Sequence, residues 1–342
     1  MEERMSNIVA SRYVNAKVLY NGKPIPVDVT DISYTDNAEG SSDDISITVH
    51  SSPKDTTFIP EKEAELDVTL YFNGWRTDHG ISESYHCGTF VLDDISYSGS
   101  PDTLVIKGVA QPASEAFTTL QKNKTWENTT LREIANAIMA NYTGMSTLYY
   151  NAPEIKIESI EQNGETDSSF LKTMCDKYNL CLKIYKVGLV IFSWETYEQN
   201  FIPCDTFDIG LMESYTWNTT VNGTYTGAHL KYTTKATKKK EAKTIEVTVG
   251  QGPRLLELTD KVESETEAKE IARQKVNAAN MEATTLSFQC FANAAIFASF
   301  KLRVVNSGRM NGDYMITKVT HSLSSTGGET SNIECYKMFD RL

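Results

Sequence analysis

The sequence predicts a chain of mixed β and α+β class, with two β-barrel domains separated by a small α+β domain and a helix-containing insertion in the second barrel. Three observations predict it. Apolar and polar residues alternate in short runs over the first 110 residues and again after residue 205, as half-buried strands do. Between these regions the apolar spacing lengthens to three and four residues, which marks amphipathic helices. The 342 residues suit two or three domains. The boundaries read from these changes are 1–120, 121–204 and 205–342, with the insertion at about 241–284.

In the first region, Val14, Ala16, Val18 and Tyr20 share one face of a strand, as do Ile45, Ile47 and Val49 in another. Asn21-Gly22 and Asn73-Gly74 fall between apolar runs, where both residues accept positive φ and close a two-residue hairpin. Leu66 to Phe72 therefore turns at Asn73-Gly74. Gly88 to Ile95 and Thr103 to Gly108 continue the pattern across a Gly99-Ser100-Pro101 turn.

In the middle region, Leu131, Ile134, Ala135, Ile138, Met139 and Tyr142 line one face of a helix spanning Thr130 to Tyr142. Thr130 and Glu133 have capping-box spacing. A second helix is expected from about Asp167 as N-cap, with Phe170, Leu171, Met174, Cys175 and Tyr178 as its stripe. Two strands follow, over 180–185 and 189–192. The last region returns to strands at 213–217, 224–234 and 244–248. A helix capped by Ser264 and Glu267 then runs to Asn280. Strands over 285–291, 300–305, 313–319 and 332–336 complete the chain, with turns at Asn311-Gly312 and Gly327-Gly328.

The formal charge of −12 argues against nucleic acid as a specific ligand, since phosphate binding needs a cationic surface. Acidic residues outnumber basic ones by 19 to 8 over residues 1–120, against 10 to 8 over 121–200 and 16 to 17 beyond, so the excess sits in the first region. No run of about 18 apolar residues is present to span a bilayer, and the N-terminus lacks an apolar signal block, so no membrane insertion is expected. The six cysteines lack metal-ligand or disulfide-scaffold spacing and read as reduced, mostly buried thiols.

Motifs for chemistry are missing. No glycine-rich run ends in Gly-Lys-Ser/Thr, and Gly223-Thr224-Tyr225-Thr226-Gly227 carries tyrosine where a serine-hydrolase elbow needs its nucleophile. His79, His86 and Cys87 form the one histidine-containing cluster, and a zinc site would want a third and fourth ligand held by local structure, so metal binding is not expected there. Asp36, Glu39, Asp43 and Asp44 lack the order of a calcium loop and read as a solvated acidic loop. Asp93 and Asp94 are the obvious carboxylate pair, but neighbours in a strand face opposite ways and would not flank one scissile bond. The basic run from Lys235 to Lys243 has no interleaved aromatics and reads as a solvated loop. No catalytic residue, metal or cofactor is expected.

Four segments, in order, carry a family resemblance. They are Ser42 to Val49; Gly88 to Ile95 with Gly99 to Gly108; Trp126 to Ala135 with Asp167 to Leu171 and Lys177 to Leu180; and Gly312 to Leu323. With the domain order, they resemble the baseplate hub of contractile phage tails, the late-control D protein family, which is related to the N-terminal part of type VI secretion spike proteins. The resemblance implies a homotrimer whose two barrels per chain give six quasi-equivalent positions, matching a hexameric tail tube protein above and a trimeric central spike protein below.

Other baseplate proteins and the tape measure protein are further partners that the resemblance implies. It places the chain in the bacterial cytoplasm during assembly and then in an extracellular phage or phage-tail-like particle. With no lysozyme-like or spike extension after Leu342, a hydrolase or needle is expected on another chain. Joined to the charge count, the same reading makes Asp43, Asp44, Asp93 and Asp94 candidate channel-lining residues. The competing reading is a carbohydrate- or receptor-binding tail adhesin using Trp75, Trp126, Trp194 and Trp217, with a cell-wall hydrolase behind it.

Overall fold

The computed structural model describes residues 13–40, 42–73, 83–112, 114–200, 205–233, 242–325 and 328–342. The first region is all strand: β1 (Tyr13–Tyr20), the short β2 (Lys23–Pro24), β3 (Val29–Asn37), β4 (Asp44–Val49), β5 (Glu65–Asn73), β6 (Glu83–Ser98) and β7 (Thr103–Val109). Their alternation is the one the sequence carries, with Ile45, Ile47 and Val49 buried and the residues between them half-buried. Asn21 and Gly22 take φ of 48° and 75° and close the β1–β2 hairpin. The turn expected at Asn73-Gly74 lies outside the described residues.

The middle region holds α1 (Ala116–Thr119), β8 (Gln121–Thr130), α2 (Leu131–Met139), β9 (Thr147–Asn151), β10 (Lys156–Thr166), α3 (Asp167–Lys177), β11 (Cys181–Tyr185), β12 (Gly188–Phe192) and α4 (Trp194–Asn200). Both bonds of the Thr130–Glu133 capping box are present. The cap of α3 is Thr166 rather than Asp167. Asp167 instead turns inward and accepts bonds from Lys122, Tyr142 and Gln162 at 2.6–2.8 Å. The β8–β10 ribbon is a strand pair that periodicity does not reveal, because its residues are mostly polar and exposed.

The last region comprises β13 (Asp205–Phe207), β14 (Ser214–Thr219), β15 (Gly227–Thr233), β16 (Thr244–Gly250), β17 (Leu255–Leu258), α5 (Glu265–Met281), β18 (Thr284–Phe291), β19 (Lys301–Val304), β20 (Gly312–Ser324) and β21 (Gly328–Lys337). The helix-bearing segment begins earlier than the sequence suggests. Strands β15–β17 form their own sheet, and Ala228, Leu230, Ile245, Ile271 and Ala272 share one core with Leu131, Phe170 and Leu171 of the middle region.

Among the described residues, strand pairing closes neither of the two β regions into a barrel. Among the described residues they form one sheet in the order β14-β18-β21-β20-β3-β4-β7-β6-β5-β1-β2, with β19 on β20 and β13 on β19. A strand has two edges. β3 pairs with β4 on one and with β20 on the other, so no edge is left for closure onto β1.

Within this sheet the strand order is repeated. The first unit runs β1-β5-β6-β7-β4-β3 and the second β13-β19-β20-β21-β18-β14. Numbered along the chain within each unit, leaving out β2 and β15–β17, both read first, fourth, fifth, sixth, third, second. A β-bulge also recurs in the fifth strand against the sixth, between Leu92 and Asp94 and between Ile316 and Lys318. The units differ at the first strand, since β1 is antiparallel to β5 whereas β13 is parallel to β19.

Candidate functional site

The end of β3 and the turn into β4 place the acidic residues 36–44 where the first unit, the middle region and the second unit meet. As a set they are not the solvated loop expected: Glu39 is exposed and Asp44 half-buried, but Asp36 and Asp43 are buried. Asp36 and Asp43 are each 4% exposed, and Lys183 of β11 lies 2.7 Å from Asp36 and 3.3 Å from Asp43. Buried carboxylates persist only when paired or hydrogen-bonded. Accordingly, Asp43 Oδ1 accepts the Asn37 N–H at 3.0 Å, and Asp36 Oδ2 accepts the Ala298 N–H at 2.8 Å from the loop before β19. Asp36 thereby joins all three regions.

One ammonium cannot neutralise two carboxylates. Burial, reinforced by the charge of Asp36, pushes Asp43 up to about 6 despite Lys183 and the Asn37 N–H. Burial alone would lower Lys183, but Asp36 and Asp43 hold it above the ordinary lysine range. Glu39 adds two bonds to the same seam, accepting from Trp194 Nε1 at 3.1 Å and Cys181 Sγ at 3.0 Å. Behind it, Glu198 accepts a two-pronged Arg341 guanidinium at 2.6 and 2.7 Å and the Tyr336 hydroxyl at 2.7 Å. His321 of β20 is fully buried, stacks on Tyr34 with centroids 6.3 Å apart, and is lowered to about 4 by burial.

A cleft of about 580 Å³ opens beside this seam, lined by Tyr34, Tyr85, Lys183, Tyr185 and Phe297 among others. Of its charged side chains, Asp36, Asp43 and Lys183 are tied to one another, while His86 pairs with Asp67 and Lys186 with Glu65, and the thiol of Cys87 on its wall is pushed far up by burial. Among the described residues no three His, Cys, Asp or Glu side chains assemble as a metal site. His86 pairs with Asp67 at 2.9 Å, while His79 lies outside the described residues.

The four channel candidates do not come together. Asp43 is buried in the seam and Asp44 is half-buried, whereas Asp93 and Asp94 are exposed on β6. The bulge at Asp93 interrupts strand alternation, so the two acids do not sit as an ordinary inward and outward pair. Asp94 also faces Lys107 at 3.4 Å, which offsets its charge.

The five described cysteines are free and buried, while Cys204 and the Lys235–Lys240 run lie outside the described residues. Trp126 and Trp194 are buried and Trp217 is half-buried, so these three do not form an exposed aromatic platform. Trp75 lies outside the described residues. No helix is long and apolar enough to cross a membrane among the described residues.

No family model matches the sequence. The chain is 22% identical over 343 residues to a protein of Escherichia phage 186 described as "Probable baseplate hub protein", covering 87% of this chain and 86% of that one. The counterpart in Escherichia phage P2, described in the same words, is also 22% identical, covering 88% and 86%. Among solved structures, the 43 kDa tail protein of prophage MuSo2 from Shewanella oneidensis superposes with a TM-score of 0.71 at 13% identity, over 94% of this chain and 98% of that one. An Escherichia coli type VI secretion component, c3393, gives 0.59 at 14% identity over 95% and 78%. The fold is thus one used by phage tail proteins and by a type VI secretion component. Within that class the chain is a homologue of the phage 186 and P2 proteins described as probable baseplate hub proteins.

Proposed function

We propose that the chain is a structural baseplate hub, a homotrimer that adapts a hexameric tail tube to a trimeric central spike and has no catalytic role of its own. One observation carries the reading: a single chain holds two β units of the same strand order, joined edge to edge through β3 and β20. Three copies would present six such units to a tube while keeping threefold symmetry toward a spike. The seam fits a part that must keep its shape under force, since buried ion pairs and hydrogen bonds tie the units to each other and to the middle region.

The partners on this reading are the tube, the spike, the other baseplate proteins and the tape measure protein. Assembly takes place in the bacterial cytoplasm before incorporation into a phage or phage-tail-like particle. Asp93 is the acid best placed to add negative charge to a channel wall, because Asp94 is offset by Lys107 and Asp43 is buried. Light scattering across a concentration series tests the assembly. A mass of three chains that then binds purified tube protein is expected; a monomer at every concentration, with and without tube and spike proteins, would overturn it.

A further inference from the structure

The repeated strand order makes the two units comparable residue by residue. Aligned on the shared bulge and the strand registers, Lys318, Val319, Thr320 and His321 of β20 correspond to Asp94, Ile95, Ser96 and Tyr97 of β6. Through β18 and β4, Thr216 and Trp217 of β14 correspond to Ser33 and Tyr34 of β3. Even a cross-strand ion pair is retained with its signs exchanged: Lys318 faces Glu334 at 3.3 Å where Asp94 faces Lys107.

Inside the chain, the later half of β20 pairs antiparallel with β3, setting His321 opposite Tyr34 and Ser322 opposite Ser33. The equivalent edges have no such cover. β5 pairs with β6 only as far as Val91, and β14 ends the sheet, so among the described residues neither the 94–98 edge of β6 nor the outer edge of β14 carries a strand. Burial records the difference: His321 is fully buried, whereas its counterpart Tyr97 is 38% exposed. Likewise β3 alternates buried and half-buried positions, but β14 is exposed throughout apart from half-buried Trp217, with Tyr215 48% exposed. Bare strand edges bearing aromatics are templates for pairing with another chain. The two edges lie at separate places in the same sheet, with β18, β21, β20, β3, β4 and β7 between them, so one chain cannot join them.

We propose that β14 of one copy pairs antiparallel with residues 94–98 of β6 in the next copy, repeating between chains the β3–β20 junction within each chain. The register carried over sets Trp217 opposite Tyr97 and Thr216 opposite Ser98. The contact is head-to-tail, so it closes into a ring when the turn per unit is a sixth of a revolution. The number of copies in the ring rests on the hub reading above; the identity of the two edges rests on the repeat.

The test is the double variant Ser98→Cys/Thr216→Cys, oxidised or bridged with a short bis-maleimide and run on denaturing gels. Directly opposed residues of an antiparallel pair have Cβ atoms about 4.5–5.5 Å apart, within reach of such a bridge. Bands of two and three chain masses are expected from the double variant and not from the parent or either single variant. The in-chain equivalent, Ser33→Cys/Ser322→Cys, calibrates the chemistry, because it should bridge without a change of mass. A trimer by light scattering that does not bridge, while the in-chain pair does, would overturn the proposed pairing and leave the threefold hub standing. A chain that stays monomeric with tube and spike present would overturn both.

Discussion

Replacing Asp43 by asparagine should make the protein more stable at neutral pH, although it removes a partner of a buried cation. Asp36, Asp43 and Lys183 carry one net negative charge at a site where both carboxylates are 4% exposed. An unfolded aspartate titrates near 3.9, and burial raises Asp43 to about 6. Between these values the folded state binds the extra proton, so stability falls as pH rises through the window. Two pH units at about 1.36 kcal/mol each give a loss of about 3 kcal/mol by pH 7. In the variant, Lys183 and Asp36 remain as a one-to-one pair, and the asparagine carbonyl can still accept the Asn37 N–H. Urea unfolding at several pH values from 4 to 7, parent against variant, reads the difference directly. A parent-minus-variant difference that stays flat across the range would refute the charge imbalance, as would a variant equally destabilised at both ends.

Lys183→Met should act in the opposite direction, costing about 3–5 kcal/mol because it strands buried carboxylates; urea midpoints at pH 7 check it. His321 is lowered to about 4 by burial while an unfolded histidine titrates near 6.5, so it contributes stability that is lost as pH falls through that window, about 3 kcal/mol in all. His321→Leu should flatten that acid-side loss in the same titration, and an unchanged acid limb would contradict it. Arg341→Ala leaves Glu198 and the Tyr336 hydroxyl buried without the guanidinium and should cost about 3–5 kcal/mol in chemical denaturation. Thr130→Ala removes a capping-box bond that is present in the structure and should cost about 1 kcal/mol, a small shift in thermal midpoint with the fold intact by circular dichroism.

The sequence by itself determined the local structure wherever side chains alternate or recur with a helical period. Strands β1, β4, β5, β6 and β7 of the first unit, the Asn21-Gly22 hairpin, α2 with its capping box and α5 with Ser264 as its cap all follow from neighbours within a few residues, whereas β3 is not among the strands that alternation marks. The β8–β10 ribbon escaped that reading because its exposed, polar strands carry no alternation to detect. The four family-like segments also pointed to phage tail hubs, and similarity over most of the chain agrees.

Tertiary structure decided the rest. Residues 36–44 read as a solvated loop because acids in a turn normally face water, and nothing nearby in the chain says otherwise. Their cation lies 147 residues beyond Asp36, and a backbone donor to Asp36 lies 262 residues away. The repeat of six strands is likewise a property of pairing rather than of local pattern. Strand propensity is local, but which edge meets which is set by long-range contacts, and the β15–β17 and α5 segment between β14 and β18 hides the repeat from any reading along the chain. The same physics keeps strand pairing from closing the first unit on itself: β3 has two edges, and β20, far along the chain, takes the one that closure would need.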